Sequence, residues 1–311
     1  MVLSQRTHEP SYQGKPLSKW IRGLEYENLN PSEEARAALR AMGKPAINRL
    51  ISMLERKDST LKQKFIAYAR RKPEIYNRVI ARRHLIPEKI YHAQAVTALG
   101  EIGPAAQAAI PALIAASKDG FYPVAARAKA ALIQIRQESV GPLARSLEDP
   151  RSANWNEAVL IIKYLGTTGQ PAVPLLVKAL QDTNDEVRSC ASAALGGIAS
   201  NPELTVPALI GCIKDKSPDV RREAIDALRK FKNAREQIVP VLLPRLQDTD
   251  LNVWLGAAFG LQDLLSNVEK KTVLAPALIQ SLKSPNETIR ENADLFLQRI
   301  DPAAATKAGT K

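Results

Sequence analysis

The sequence is short of aromatics, cysteine, histidine and long apolar runs, and each shortage argues against a class of protein. Aromatic residues make up 5% of the 311-residue chain while hydrophobic residues make up 45%. The interior must therefore be built from Ala, Leu, Ile and Val, which favours closely packed helices over strands. Cys190 and Cys212 each sit inside an apolar helical pattern without CxxC spacing. That argues against a disulfide framework or a zinc site and for two small core residues in a reducing compartment. His8, His84 and His92 are too scattered for a two-metal site. No GxxxxGK[ST], GxSxG or HExxH occurs, and the paired acids Glu33/Glu34 and Asp185/Glu186 fall at helix starts, where carboxylates suit the helix dipole. No catalytic constellation emerges, so the expectation is a protein that is not an enzyme and takes no metal, cofactor or small-molecule substrate. There is no stretch of 18 or more apolar residues, and the opening MVLSQRTHEPSYQG has no apolar signal core. A soluble, cytoplasmic chain is expected.

What the sequence has in excess is positive charge. Lys+Arg number 44 against 32 Asp+Glu, a net +12 and a pI near 9.7, which suits acidic partners such as nucleic acid, anionic lipid or an acidic protein face.

It also has a repeat. Prolines 111, 142, 174, 207, 240 and 276 open successive apolar segments at spacings of 31, 32, 33, 33 and 36, the period of a solenoid. Counting each proline as position 0, position 13 is Val124, Val187, Val220, Val253 and Ile289. Position 17 is Ala128, Ala191, Ala224, Ala257 and Ala293, and position 21 is Leu132, Leu195, Leu228, Leu261 and Leu297. These three form an i, i+4, i+8 stripe on one helix, with a small residue in the middle that admits a close neighbour. Position 2 repeats Leu113, Leu176, Leu209, Leu242 and Leu278 on an earlier helix whose proline belongs in the first turn. The Pro142 unit fits only with a two-residue insertion. Position 10, between the helices, is Asn184, Ser217, Asp250 and Asn286, all N-cap residues. Gly100, Gly166 and Gly196 read as left-handed residues closing the second helix. Each unit is thus a pair of antiparallel helices. With Ala35/Leu39 and Ala95/Leu99 extending the pattern toward the start, about eight pairs are expected. Leu17, Trp20, Ile21 and Leu24 share one face of a capping helix.

The segments PLLVKALQDTNDEVRSCASAALGGI and PALIGCIKDKSPDVRREAIDAL resemble HEAT repeats of the short kind named after phycobilisome lyases. That resemblance implies an all-α, right-handed alpha-solenoid of the armadillo-like type, and a non-enzymatic scaffold binding a protein on its surface. It also implies that the pairs Asp182/Arg188 and Asp215/Arg221, each six residues apart, together with Arg290, form a structural ladder between repeats. Trp254 stands where the other units carry that Arg, and either packs on the next unit or is an exposed anchor. HEAT-fold deoxyhypusine hydroxylases hold iron on several His-Glu pairs, whereas this sequence has His8-Glu9 alone. A lyase or accessory role needs a tetrapyrrole-sized groove that the sequence does not show. HEPSYQGKPLSKWI, ARAALRAMG and YHAQAV are similar to HEAT-repeat proteins of Verrucomicrobia-like bacteria, many of which carry an N-terminal membrane anchor. An anchored chain is thus the alternative if the true start lies upstream.

Between the two helices of one early repeat lies a basic insert, residues 57–90. From Lys57 to His92 there are ten Lys/Arg and three acids, +7 of the chain's +12. Lys64, Arg70, Arg71, Lys72, Arg78, Arg82 and Arg83 are the candidate partner-binding residues, placed to meet phosphates or an acidic protein. The alternative is a solvated face of a structural insert. Its apolar residues, Phe65 and Tyr68 among them, are expected to dock it on the solenoid. The layout expected is a flexible start over 1–14, one solenoid over 15–301 and a disordered tail over 302–311, in a monomer. The rival to the protein-binding scaffold is a nucleic-acid-binding module using the insert, as alkylpurine DNA glycosylases with HEAT-like folds do.

Overall fold

In a computed structural model of the chain, the structure describes residues 9–22, 24, 33–56, 64–65, 68, 71–72, 74, 88–135 and 137–309. These residues form an all-α solenoid, in two compact units that meet in sequence between Pro142 and Leu143. The boundary falls inside a helix carrying Gly141 and Pro142.

The first unit opens with a two-residue hairpin, β1 (Ser11–Tyr12) against β2 (Lys15–Pro16), antiparallel with Tyr12 opposite Lys15. Gln13 and Gly14, at φ 49° and 69°, make the turn, and positive φ at both central residues matches the twist of the flanking strands. Residues 9–14, part of the start expected to be flexible, are tied to the fold, and Glu9 accepts hydrogen bonds from the Ser18 backbone N–H (2.7 Å) and hydroxyl (3.0 Å). Helix α1 (Leu17–Arg22) buries Leu17, Trp20 and Ile21 on α2 (Glu33–Leu54) and α3 (Glu88–Ile102), as expected of a cap. Gly43, at φ 55°, bends α2 into two helices. Helices α4 (Ile110–Ala116) and α5 (Tyr122–Ile135) follow, and α3 packs alongside α5. The boundary lies in α6 (Gln137–Arg145).

The second unit runs α7 (Trp155–Leu165), α8 (Val173–Ala179), α9 (Asp185–Ile198), α10 (Pro202–Cys212), α11 (Pro218–Leu228), α12 (Arg235–Leu242), α13 (Leu251–Leu264), α14 (Ala275–Ser281), α15 (Glu287–Ile300) and α16 (Pro302–Lys307). The second helices α7, α9, α11, α13 and α15 pack side by side, each against the next. All the Ala and Leu residues of positions 17, 21 and 2 are fully buried, and the position-13 residues nearly so.

The caps divide. Asn184, Asp250 and Asn286 accept backbone N–H groups as N-caps of α9, α13 and α15, whereas Ser217 makes no side-chain cap bond to α11. The glycine reading needs correction. Only Gly166 (φ 59°) has left-handed φ, joined by Gly103 (φ 70°), while α9 ends on Ala199 (φ 47°). Gly100 and Gly196 lie inside their helices for a different reason. A Cβ on Gly196 would stand 2.7 Å from the Ala227 backbone, and one on Gly100 3.2 Å from that of Ala131, so both are set by the close approach of the neighbouring second helix. The proline rule also holds only in part: Pro111, Pro174 and Pro276 are in the first turn, but Pro142, Pro207 and Pro240 sit inside helices that begin earlier.

The tail is a second correction. Asp301 accepts a hydrogen bond from the Ala304 N–H at 3.1 Å and caps α16, which starts on Pro302 and buries Ala305. An N-cap acid before a helix-opening proline is enough to order it. Residues 88–116 have the length and apolar composition of a membrane-crossing helix, but half of that window is buried within the fold and the chain turns at Gly103. The composition is that of a packed core.

Candidate partner-binding surfaces

Four features of the described residues could carry function: the ladder, the insert's cations, a cleft in the first unit and an apolar face in the second.

The ladder is made across repeats. Arg188 grips Asp215 of the following repeat with two parallel bonds, Nε to Oδ2 at 2.7 Å and Nη2 to Oδ1 at 2.8 Å. Its Nη1 donates to the carbonyls of Asp182 (2.8 Å) and Thr183 (3.1 Å). Arg221 repeats the arrangement on Asp248 at 2.9 and 2.8 Å, and on the carbonyls of Asp215 and Lys216. Each acid is held by its own turn, Asp182, Asp215 and Asp248 accepting from the N–H two residues on. The paired geometry keeps Asp215's carboxyl below its ordinary value, chiefly through Arg188's hydrogen bonds and then the Ser217 N–H, and raises Arg188 in return. Arg290 donates to the carbonyls of Ser284 and Pro285. Trp254 is fully buried, and its Nε1 donates to Ser281 at 3.1 Å across the same 27-residue separation as the Arg–Asp rungs. It replaces a rung and is no exposed anchor. Trp155, the first residue of α7, is likewise buried, and its Nε1 has no partner among the described residues. These side chains fix repeat register, consistent with buried ion pairs serving specificity more than net stability.

Of the insert's candidates, Lys64, Arg71 and Lys72 are exposed. Arg70, Arg78, Arg82 and Arg83 lie outside the described residues. Phe65 and Tyr68, expected to hold the insert down, are 37% and 55% exposed. The charge imbalance is broader than the insert. Residues 1–142 hold 23 Lys/Arg against 12 Asp/Glu, and residues 143–311 hold 21 against 20, so almost the whole excess belongs to the first unit.

Where the insert joins the first unit there is a cleft of about 820 Å³. It is lined by Ile51, Leu54, Glu55 and Arg56 at the end of α2, by Glu88, Lys89 and His92 at the start of α3, and by Ala108, Pro111, Ala112, Ala115, Ala116, Asp119 and Val124. Lys89 Nζ lies 3.4 Å from Asp119 and 5.7 Å from the Phe121 ring centroid, and His92 Nε2 donates to the Arg56 carbonyl at 2.8 Å. His92 is therefore occupied in joining α3 to the end of α2. Nothing in the sequence signalled this cleft, because three elements distant in the chain build it.

In the second unit, position 19 of the second helices is Lys163, Ala193, Asp226, Phe259 and Leu295. Phe259 and Leu295 are 43% and 63% exposed, and the Phe259 ring meets Phe296 at 5.1 Å, which in turn meets Trp254 edge-on at 5.8 Å. Phe259 and Leu295 are thus partly exposed apolar side chains on adjacent second helices, with Phe259 backed by Phe296 and Trp254. A shallower groove of about 460 Å³ crosses α7, α9 and α11 over Gly196 and Gly197. Those glycines answer to packing, since a Cβ on Gly197 would stand 2.7 Å from the Lys163 carbonyl.

Nothing among the described residues gathers three or more potential metal ligands. Burial, assisted by Glu186 and Glu223, pushes the Cys190 thiol up, and burial raises Cys212. Both are poor nucleophiles at neutral pH.

Comparison with known proteins fits this architecture. Family models for HEAT repeats match residues 147–229 and 199–262, and the model for the phycobilisome lyase (PBS) HEAT-like repeat matches residues 92–119. No curated protein sequence matches the chain. Among solved structures, a chain from a Kap95p–RanGDP study is similar at 17% identity and TM-score 0.51, over 96% of this chain and 43% of that one. An archaeal HEAT-like repeats protein from Thermococcus onnurineus aligns at 13% identity and TM-score 0.44 over 67% of this chain and 93% of its own. A designed armadillo repeat protein in complex with a (KR)4 peptide aligns at 22% and 0.42 over 64% and 98%. Over residues 92–119 and 147–262, the repeating helix pairs of this all-α solenoid are HEAT-type repeats.

Proposed function

We propose that the chain is a non-enzymatic, protein-binding scaffold whose second helices present the contact surface. The observation that carries this reading is the pair of partly exposed side chains Phe259 and Leu295, with Phe259 backed by Phe296 and the buried Trp254. Large apolar side chains on a firm base are the anchors protein interfaces favour, and they lie at one repeat position on adjacent helices. Support also comes from the HEAT-type repeats themselves, a fold typical of interaction scaffolds. Two unpaired cysteines suit a reducing, cytoplasmic setting.

The test is capture from native lysate with wild type and with Phe259→Asp/Leu295→Asp, followed by mass spectrometry. Proteins retained by wild type and lost by the variant are expected. An identical set of retained proteins overturns this surface as the contact site.

A further inference from the structure

The row that holds Phe259 and Leu295 continues across the second unit into the shallower groove, and its two ends differ in chemistry. On the reading that the second helices present the contact surface, we infer that its occupant is an extended protein segment. Carboxylate side chains at one end of the segment lie in the groove over α9, and bulky apolar side chains at the other lie on Phe259 and Leu295.

Position 19 passes from helix to helix through Lys163, Ala193, Asp226, Phe259 and Leu295, on second helices that pack each against the next. There α13 and α15 raise partly exposed apolar side chains, the anchors that interfaces favour. By contrast, α9 offers only Ala193 and Gly197 between Tyr164 on α7 and Glu223 and Lys230 on α11, which leaves the recess of about 460 Å³. Charge selects what enters it. Lys163, Lys230, Glu223 and Asp226 line the groove, but both acids are already held. Arg222 lies 2.6 Å from Glu223 and 3.6 Å from Asp226, and Arg229 lies 3.2 Å from Asp226 and 2.7 Å from Asp263. Counted together, Lys163, Lys230, Arg222 and Arg229 stand against Glu223, Asp226 and Asp263. Neither lysine pairs with a carboxylate among the described residues, so the charges left to a ligand are positive. The Lys163 stem crosses Gly197, where a Cβ would stand 2.5 Å from its Cγ, and glycine is what lets this lysine lie along the floor. Lysines at the ends of α7 and α11 also offset the helix dipoles. That role needs no ligand, and a binding measurement separates the two. Length follows from packing. With neighbouring helices about 9 Å apart, Phe259 and Leu295 stand about 18 and 27 Å from α9, and an extended chain rising about 3.3 Å per residue joins the two ends in about six to eight residues.

Fluorescence anisotropy with the full chain tests it. The probe is a labelled peptide of Glu-Glu, a Gly/Ser spacer of about six residues and Leu-Phe, made in both chain directions. At least one direction is expected to bind. Binding should weaken about tenfold or more, equivalent to at least about 1.4 kcal/mol, with Gln-Gln in place of Glu-Glu and with the spacer cut to a single residue. The same loss is expected with Lys163→Met/Lys230→Met and with Phe259→Asp/Leu295→Asp. Methionine keeps an unbranched stem on Gly197 and removes the charge, and circular dichroism checks that each variant folds. Lys214→Met/Lys216→Met, in the same unit but outside the groove, should leave binding unchanged. Loss with the Phe259/Leu295 variant but none with the Lys163/Lys230 variant or the Gln peptide overturns the carboxylate end and leaves the scaffold reading standing. Equal binding at both spacer lengths overturns a segment that crosses from groove to apolar pair. No binding in either direction overturns the inference, while capture from lysate judges the scaffold reading by itself. Tighter binding of single-stranded DNA of about 12 nucleotides that displaces the peptide overturns the choice of a protein segment.

Discussion

Asp215 is clamped by Arg188, and both side chains are largely out of solvent. Replacing it with Asn keeps the volume but removes the charge and turns one of the two acceptor oxygens facing the guanidinium into a donor. Asp215→Asn should cost about 2 kcal/mol in urea unfolding at neutral pH. Because the folded carboxyl sits below its ordinary value, its contribution is complete above the unfolded-state pKa and is lost as pH falls through the depressed folded one. The gap between wild type and variant should therefore close toward acid, and a gap that widened there would contradict the clamp. Glycines give a second contrast at this scale. Gly196→Val must push against the Ala227 backbone and should destabilise by about 1–3 kcal/mol. Gly211→Ala, within α10 and with nothing within 4 Å, should stabilise by about 0.5–1 kcal/mol. Thermal melts of the two variants distinguish a packing glycine from a merely permissive one.

At the scale of elements, the caps separate chemistry from resemblance. Asn184→Ala and Asn286→Ala remove bonded caps and should each cost about 1 kcal/mol, while Ser217→Ala, which loses no cap bond, should be near neutral by the same melts. This difference marks how far the sequence could be read. The stripe of Val, Ala and Leu at positions 13, 17 and 21 was legible because burial of one helix face imposes a spacing of four, and the structure buries every member. Whether a residue that can cap does so depends on the rotamer its turn allows, and spacing does not carry that. Gly196 was misread for a related reason: close approach and left-handed φ both select glycine, and only the neighbouring helix tells them apart. The Asp301–Pro302 start of α16 and the Gln13–Gly14 turn were signalled in local sequence but overlooked, one in an Ala-rich tail and the other between strands of two residues each. The candidate surfaces were legible only as composition. A basic insert can be counted, whereas the cleft at its root exists because α2, α3 and α4 converge.

For the whole molecule, the imbalance of charge between residues 1–142 and 143–311 should govern behaviour on a polyanion. On a heparin column the full chain is expected to be retained at low salt, and Lys64→Glu/Arg71→Glu/Lys72→Glu to elute earlier. Lys214→Glu/Lys216→Glu/Lys283→Glu in the second half changes net charge equally but removes it from a nearly neutral background, so a smaller shift is expected. Equal shifts would show that only total charge matters.

The rungs carry one more consequence. Arg188 meets Asp215 and Arg221 meets Asp248 across the same 27 residues, and the two units are 33 residues apart. Every such repeat therefore ends in a socket and begins with the plug that fits it. Excising residues 190–222 would splice the start of α9 to the end of α11 and bring Arg188 to Asp248 at the original separation. Duplicating those residues would add a rung of the same make. The array is thus built so that unequal recombination at this period lengthens or shortens it by whole turns of the stack, leaving each new junction already matched.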